Sequence, residues 1–232
     1  MAMNQKLLRP RASGFNPKSI ASLRAWYDAS DDAQFTYSSG TVVSEWRDKS
    51  GYSFHAAHAN AAQQPTRNVT RNGRSAVSFP NSLRNLTISN MAAAFPTAAT
   101  GVFVYGPGGN EYNIFHASPD ATAFTSYSGN GYSAFFKTTR LANTPAMPST
   151  GFHVVTWISS ATQYTIRQNG TQILTTAANF SAGSNHRIGS STNGNSANHT
   201  SCEILLFNET LTTTQLQTVE RYAGKRWGVT VA

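Results

Sequence analysis

Ten acidic side chains and six histidines carry nearly all the acid–base chemistry open to this chain. The carboxylates that lie close together in sequence are Asp28, Asp31 and Asp32 in one turn, and Glu45 with Asp48 beside Trp46. Retaining glycoside hydrolysis needs a nucleophile and an acid/base about 5 Å apart, which alternate positions on one strand can supply. Neither group has that alternating arrangement, so both read as hydrogen-bonding groups of turns and strand ends. No catalytic residue is assigned and no enzymatic activity is expected. Among His55, His58, His116, His153, His186 and His199, only His55 and His58 are closely spaced, and no cysteine or nearby acid completes a metal set. Calcium takes carboxylate and carbonyl oxygens. Asp28, Asp31, Asp32 and Asp120 are its only candidate ligands, and their spacing matches no calcium loop, so no cofactor is assigned. There is no Gly-x-Ser-x-Gly elbow for a nucleophilic serine. Gly106-Pro107-Gly108-Gly109 lacks the lysine and the following helix of a phosphate loop and reads as a turn.

Binding chemistry has more to draw on. A saccharide site needs an exposed aromatic ring to stack on the sugar, with amide or carboxylate groups for its hydroxyls. Tyr112, Tyr127, Tyr132, Asn193 and Asn195 offer such groups in segments read as loops and strand ends. The competing reading of each tyrosine is a half-buried sandwich residue. The net charge of +8 raises the question of a polyanion. The cations are dispersed, however: Lys6, Arg9, Arg11 and Lys18 near the start, Arg67, Arg71, Arg74 and Arg84 in the middle, Arg221, Lys225 and Arg226 near the end. Specific nucleic-acid binding is not expected from such a distribution.

The elements that must position these residues follow from composition and periodicity. Of 232 residues, 39% are hydrophobic and only 12% charged, well under the roughly 25% of an average domain. Such a polar but nearly uncharged surface suits strands and Asn/Gly turns. Strand patterns recur about every ten residues, at 23–28, 41–46, 76–79, 101–105, 112–116, 123–127, 132–136, 152–159, 163–168, 171–175, 186–189 and 201–207. Asn169-Gly170 between two of them predicts a type I′ hairpin. Residues 211–228 read as the one helix, capped by Thr212, closed by Gly228, with Leu216, Val219, Ala223 and Trp227 as its apolar stripe. Trp26, Trp46, Trp157 and Trp227 are expected in the core.

Residues 1–20 read as an extended arm, with Pro10, Gly14 and Pro17 and no strand or helix period before Ile20. Lys6, Leu8, Arg9, Arg11 and Phe15 are its candidate assembly residues, and 21–232 form the sandwich. Cys202 is the only cysteine, so stability must come from packing. The start has no apolar run after its basic cluster, and no stretch approaches a membrane span, so synthesis in a cytosol and no membrane contact are expected. The sequons at Asn68, Asn85, Asn169, Asn179, Asn198 and Asn208 then read as chance products of an Asn- and Thr-rich chain.

Three stretches together resemble the laminin-G-like branch of the concanavalin A-like lectin/glucanase superfamily. The first is Trp26-Tyr27-Asp28-Ala29-Ser30-Asp31 with Trp46-Arg47-Asp48-Lys49-Ser50-Gly51, then Gln64-Pro65 and Asn72-Gly73-Arg74-Ser75-Ala76-Val77-Ser78-Phe79. The second is Phe152-His153-Val154-Val155-Thr156-Trp157 leading into Asn169-Gly170. The third is Arg187-Ile188-Gly189-Ser190, then Cys202-Glu203-Ile204-Leu205-Leu206-Phe207-Asn208, then the helix ending Lys225-Arg226-Trp227-Gly228. The resemblance implies an all-β, antiparallel jelly-roll sandwich with one short C-terminal helix, and leaves function open. The catalytic motif of the superfamily's glucanases is absent.

The opening Leu8-Arg9-Pro10-Arg11-Ala12-Ser13-Gly14-Phe15-Asn16-Pro17 is similar to the start of structural proteins of bacterial viruses that carry this domain. That similarity implies a virion protein of head decoration, fibre or tail, present in multiple copies or as a homo-oligomer, with capsid, portal or tail proteins as partners. The alternative is a lectin-like module for host-surface glycans.

Overall fold

The computed structural model describes residues 14–80, 83–108, 113–117, 135–138, 141, 148–177, 179–183, 186–190 and 198–232. Its strands are β1 (Leu23–Asp28), β2 (Phe35–Ser39), β3 (Val42–Trp46), β4 (Ala56–Ala57), β5 (Thr66–Arg71), β6 (Arg74–Phe79), β7 (Asn85–Ile88), β8 (Ala98–Pro107), β9 (Phe115–Ala117), β10 (His153–Ser160), β11 (Tyr164–Gln168), β12 (Thr171–Thr176), β13 (His186–Gly189) and β14 (His199–Phe207). A single α-helix, α1 (Thr213–Trp227), follows among the described residues. Hydrogen bonding runs in the order β12-β11-β10-β8-β14-β6-β5-β3-β4-β7-β13-β9, with β1 on β14 and β2 on β3. The result is an antiparallel β-sandwich with a short C-terminal helix.

The central strand is β14. One edge pairs with β8 along its length, while the other is divided, residues 199–201 bonding β6 and 203–207 bonding β1. Residues 201–207 are buried throughout, an apolar run broken only by Ser201 and Glu203. A strand reads this way when both faces are covered. On one face Tyr27 meets Trp46 edge-on, ring centroids 5.7 Å apart. Further along, Phe103, Phe115, Phe135 and Trp157 form a cluster with centroids 5.1 to 6.3 Å apart, the spacing at which aromatic edges and faces attract. The other face of β14, β8 and β10 carries α1.

The helix forms where the pattern places it. Thr212 caps it, its hydroxyl accepting from the Gln215 amide while the Gln215 side chain accepts from the Thr212 amide. Gly228, at φ 66°, ends it. Leu216, Val219, Ala223 and Trp227 are buried as the stripe requires, and so is Glu220, which the apolar pattern did not mark. Its carboxylate accepts from Thr156 Oγ1 at 2.8 Å on β10 and Arg167 Nε at 2.9 Å on β11, so a buried ionic contact fixes the middle of the helix.

The Asn169-Gly170 hairpin is present with both residues at positive φ, 48° and 85°, and all four tryptophans are buried. Unanticipated strands are β2, β4, β5 and β7. They are short or polar: β5 reads Thr-Arg-Asn-Val-Thr-Arg and is held by a second hairpin at Asn72-Gly73, φ 49° and 70°. The expected strand at 123–127 lies outside the described residues, as do residues 112 and 132–134 of two others. Pro17 and Ile20 at the end of the N-terminal stretch are buried against the body.

One glycine distinguishes packing strain from backbone strain. Gly189 combines φ +98° with a neighbour: a Cβ there would meet the Arg84 carbonyl oxygen at 2.4 Å, whereas Gly73 at φ +70° faces open space. Gly73→Ala is expected to cost about 1 kcal/mol. Gly189→Ala is expected to cost roughly 2–4 kcal/mol, because the clash adds to the strain. Urea unfolding of the two variants measures the difference, and equal losses would contradict the register assigned to β13.

Candidate functional site

The site grows from a cross-strand pair of acids. Register places Asp28 of β1 directly opposite Glu203 of β14, with both side chains shut off from solvent. A bulge in β14 at Cys202 precedes Glu203, and bulges re-aim the side chains beside them. Glu203 is turned under α1 and collects three donors from two elements, Trp26 Nε1 of β1 at 2.8 Å and, from α1, Trp227 Nε1 at 2.7 Å and Tyr222 Oη at 3.0 Å. Arg226 Nε stands 3.6 Å away, while its Nη2 reaches Asp28 at 2.7 Å and also bonds Ser30 Oγ. Lys49 Nζ completes the cluster, 3.0 Å from Asp28 and 2.7 Å from Asp31, lying 4.7 Å above the Trp26 ring.

Burial dominates the electrostatics. It pushes Glu203 up to about 7, with Asp28 adding to the effect and Arg226 and the two indoles opposing it. Burial pushes Asp28 up too, but the Ser30 hydrogen bond, Arg226 and Lys49 outweigh it and hold the carboxyl below its ordinary value. Two acids side by side are thereby split, one ionised and one near neutrality. Burial and then Glu203 push the Tyr222 phenol up. Tyr222 therefore keeps its proton and acts as a donor, the opposite of an activated nucleophile.

Above this network lies a trough in two halves. One, about 370 Å³, is bounded by Phe15, Asn16, Pro17, Lys18, Trp26, Lys49, Tyr222 and Arg226. The other, about 600 Å³, includes Arg74, Thr218, Arg221 and Lys225. Phe15, Tyr222 and Arg226 belong to both. Phe15 and Tyr222 meet edge to face at 5.4 Å and are each partly exposed, so they form a ridge between the halves. Both volumes fall within the roughly 300–1,000 Å³ of small-ligand sites. Asp28 and Glu203 line neither half; they hold the walls from beneath.

Of the assembly-arm and glycan candidates singled out from sequence, Phe15 alone is brought to this trough, whereas Lys18, Arg74, Arg221, Lys225 and Arg226, dispersed in sequence, come together along it. Lys6, Leu8, Arg9 and Arg11 lie outside the described residues, as do Tyr112, Tyr127, Tyr132, Asn193, Asn195 and Asp120. The calcium candidates Asp28 and Asp31 face Lys49 and Arg226, and Asp32 pairs with Arg67. Short-range spacing could not reveal Glu203, which is 177 residues from Trp26. The available signal was one acid inside an otherwise apolar strand. Two exposed rings were also passed over, Tyr37 and Tyr52, whose hydroxyls are held by Arg67 and Arg24.

No protein-family model matches the chain, and no curated protein matches it in sequence. Solved structures do resemble it in shape. Trypanosoma rangeli sialidase in complex with sialic acid superposes with a TM-score of 0.57 at 14% identity, over 90% of this chain and 34% of that one. The same sialidase with 2,3-difluorosialic acid gives 0.58 at 12%, over 88% and 33%. The binding domain of botulinum neurotoxin DC in complex with SialylT gives 0.50 at 13%, over 88% and 51%. The chain thus spans about a third of the sialidases and half of the toxin fragment, and at these identities the likeness is one of fold.

The raised Glu203 carboxyl makes stability pH-dependent. Its folded value exceeds that of the unfolded chain, so the folded state holds more protons between the two, and stability falls as pH rises from about 4.5 through about 7. His186, held down to about 4 chiefly by burial, gives the opposite slope, its stabilisation being lost as pH falls below 6.5. The comparison must therefore be with Glu203→Gln. That variant is expected to be less stable than wild type at pH 5 by about 1–3 kcal/mol, because its amide has two N–H donors to place among three donors, where the protonated acid has a single O–H. The gap should narrow by pH 8. Melting profiles of the two proteins that run parallel from pH 5 to 8 would contradict this.

Proposed function

We propose that this chain is a carbohydrate-binding module, not an enzyme, and that the trough beside α1 is its saccharide site. The observation that carries the reading is the division of labour between surface and interior. The trough presents a partly exposed aromatic ridge, Phe15 and Tyr222, with Asn16, Thr218 and several cations around it. The Asp28 and Glu203 carboxylates, whose protonation is split as a glycosidase would need, are buried beneath with their oxygens held by protein donors. The fold neighbours solved with sialic acid and with SialylT support the choice of ligand class.

We also propose, from the resemblance of residues 8–17 to structural proteins of bacterial viruses, that the module is carried on a virion in several copies and recognises a host-surface glycan. Its arm would be the attachment to capsid, portal or tail proteins, leaving the body at Gly14 on the rim of the trough.

A glycan array probed with the full chain should give signals, and Phe15→Ala should weaken the best of them roughly tenfold, the loss of one ring contact. An array without signal would sink the module reading. Separately, a chain lacking residues 1–13 should keep its melting transition but fail to co-sediment with the particle; undiminished co-sedimentation would remove the arm from that role.

A further inference from the structure

We infer that the larger half of the trough is an anion subsite, which makes the ligand an acidic saccharide bearing a carboxylate or sulfate group; this rests on the carbohydrate-binding reading above. Arg74, Arg221, Lys225 and Arg226 line that half, and Lys18 and Lys49 the adjoining one. No described carboxylate lines either half. All the described acids but the exposed Glu209, which lines neither half, are engaged elsewhere: Glu45, Asp32 and Glu220 pair with Arg47, Arg67 and Arg167, and Asp28, Asp31 and Glu203 face Lys49 and Arg226 from below. Asp48 is bound into the turn formed by Trp26, Ser50 and Phe54.

Two of the cations of the larger half are uncommitted. Arg221 and Lys225 are exposed, and neither side chain has a hydrogen bond or an ion pair among the described residues. They stand one turn apart on the same helix face, an arrangement in which like charges repel and which a bound anion relieves. The groups around them are placed by the fold. Arg74 Nε donates to the Arg226 carbonyl at 3.2 Å, and Arg226 is anchored on Asp28 and Glu203. A planar guanidinium and an ammonium lining one groove suit a carboxylate or sulfate oxygen set. The Phe15–Tyr222 ridge offers a sugar ring its apolar face, and Thr218 a hydroxyl.

The chain's own arm is a poor occupant. No Asp or Glu occurs before Asp28, while Lys6, Arg9 and Arg11 precede the groove, so the arm would be repelled by it. A nucleic acid is disfavoured by extent, since these cations line one pocket instead of forming a stripe that tracks a phosphate backbone.

The test is calorimetric titration of the full chain and of Arg221→Ala/Lys225→Ala with sialyllactose, lactose and a sulfated disaccharide, at low and high salt. Neither residue has a structural partner, so the variant should retain its melting transition. Wild type should bind the acidic sugars more tightly than lactose, and added salt should weaken them. The double variant should lose about tenfold or more on the acidic sugars and little on lactose. Equal binding of lactose and the acidic sugars, or an unaffected double variant, would overturn the anion subsite while leaving the module reading intact. Tighter binding of polyglutamate or of a single-stranded oligonucleotide would overturn the ligand class. No response to any saccharide here or on the array would remove both.

Discussion

A carboxylate shut off from water cannot stay charged without donors, and Glu203 obtains its donors from opposite ends of the chain. Trp26 comes from the first strand, Tyr222, Arg226 and Trp227 from the last helix, and Glu203 itself from the central strand. Satisfying that one group fixes the depth and rotation of α1 on the sheet, with Glu220 acting likewise at the middle of the helix. Buried ionic contacts of this kind add little net stability when compared with well-packed apolar residues, but breaking them is costly. Their effect here is to set geometry. The outer edges of Trp26, Tyr222 and Arg226, whose inner edges serve Glu203 and Asp28, are the walls of the trough.

Local rules were legible in the sequence wherever the cause was local. The Asn169-Gly170 turn, the Thr212 and Gly228 caps and the stripe from Leu216 to Trp227 each depend on neighbours within a few residues, and each is present. The polar strands were not legible, because β5 and β7 owe their conformation to pairing partners more than to apolar alternation. Nor was the acid pair. Asp28 read as a turn residue, and nothing in its surroundings in sequence points to Glu203; only strand register brings them together. Glu220 was hidden for a similar reason, its burial being compensated by Thr156 and Arg167 on other strands. Phe15 was chosen as an arm residue and instead contacts the helix, since Pro17 and Ile20 draw the end of that stretch onto the body.

The same separation of causes runs through function. The fold, shared at low identity with sialidases and a toxin binding domain, does not determine a ligand. The chemistry of the trough does more. Positive charge on a chain with few acids is ordinarily diffuse, yet six of the described acids pair with other cations, which leaves Arg221 and Lys225 without counterions among the described residues. A weakly charged chain can in this way present a locally cationic site, and on the proposed reading the aromatic ridge beside it would select a ring-bearing anion.

The most direct test uses the four indole N–H signals as reporters of position. Trp26 and Trp227 donate to Glu203 beneath the trough, whereas Trp46 and Trp157 lie in the sandwich core. Nitrogen-resolved NMR during titration with sialyllactose should move the Trp26 and Trp227 indole signals together and leave the other two in place. Saturable binding with Trp26 and Trp227 unmoved would put the saccharide elsewhere on the sandwich and contradict the account.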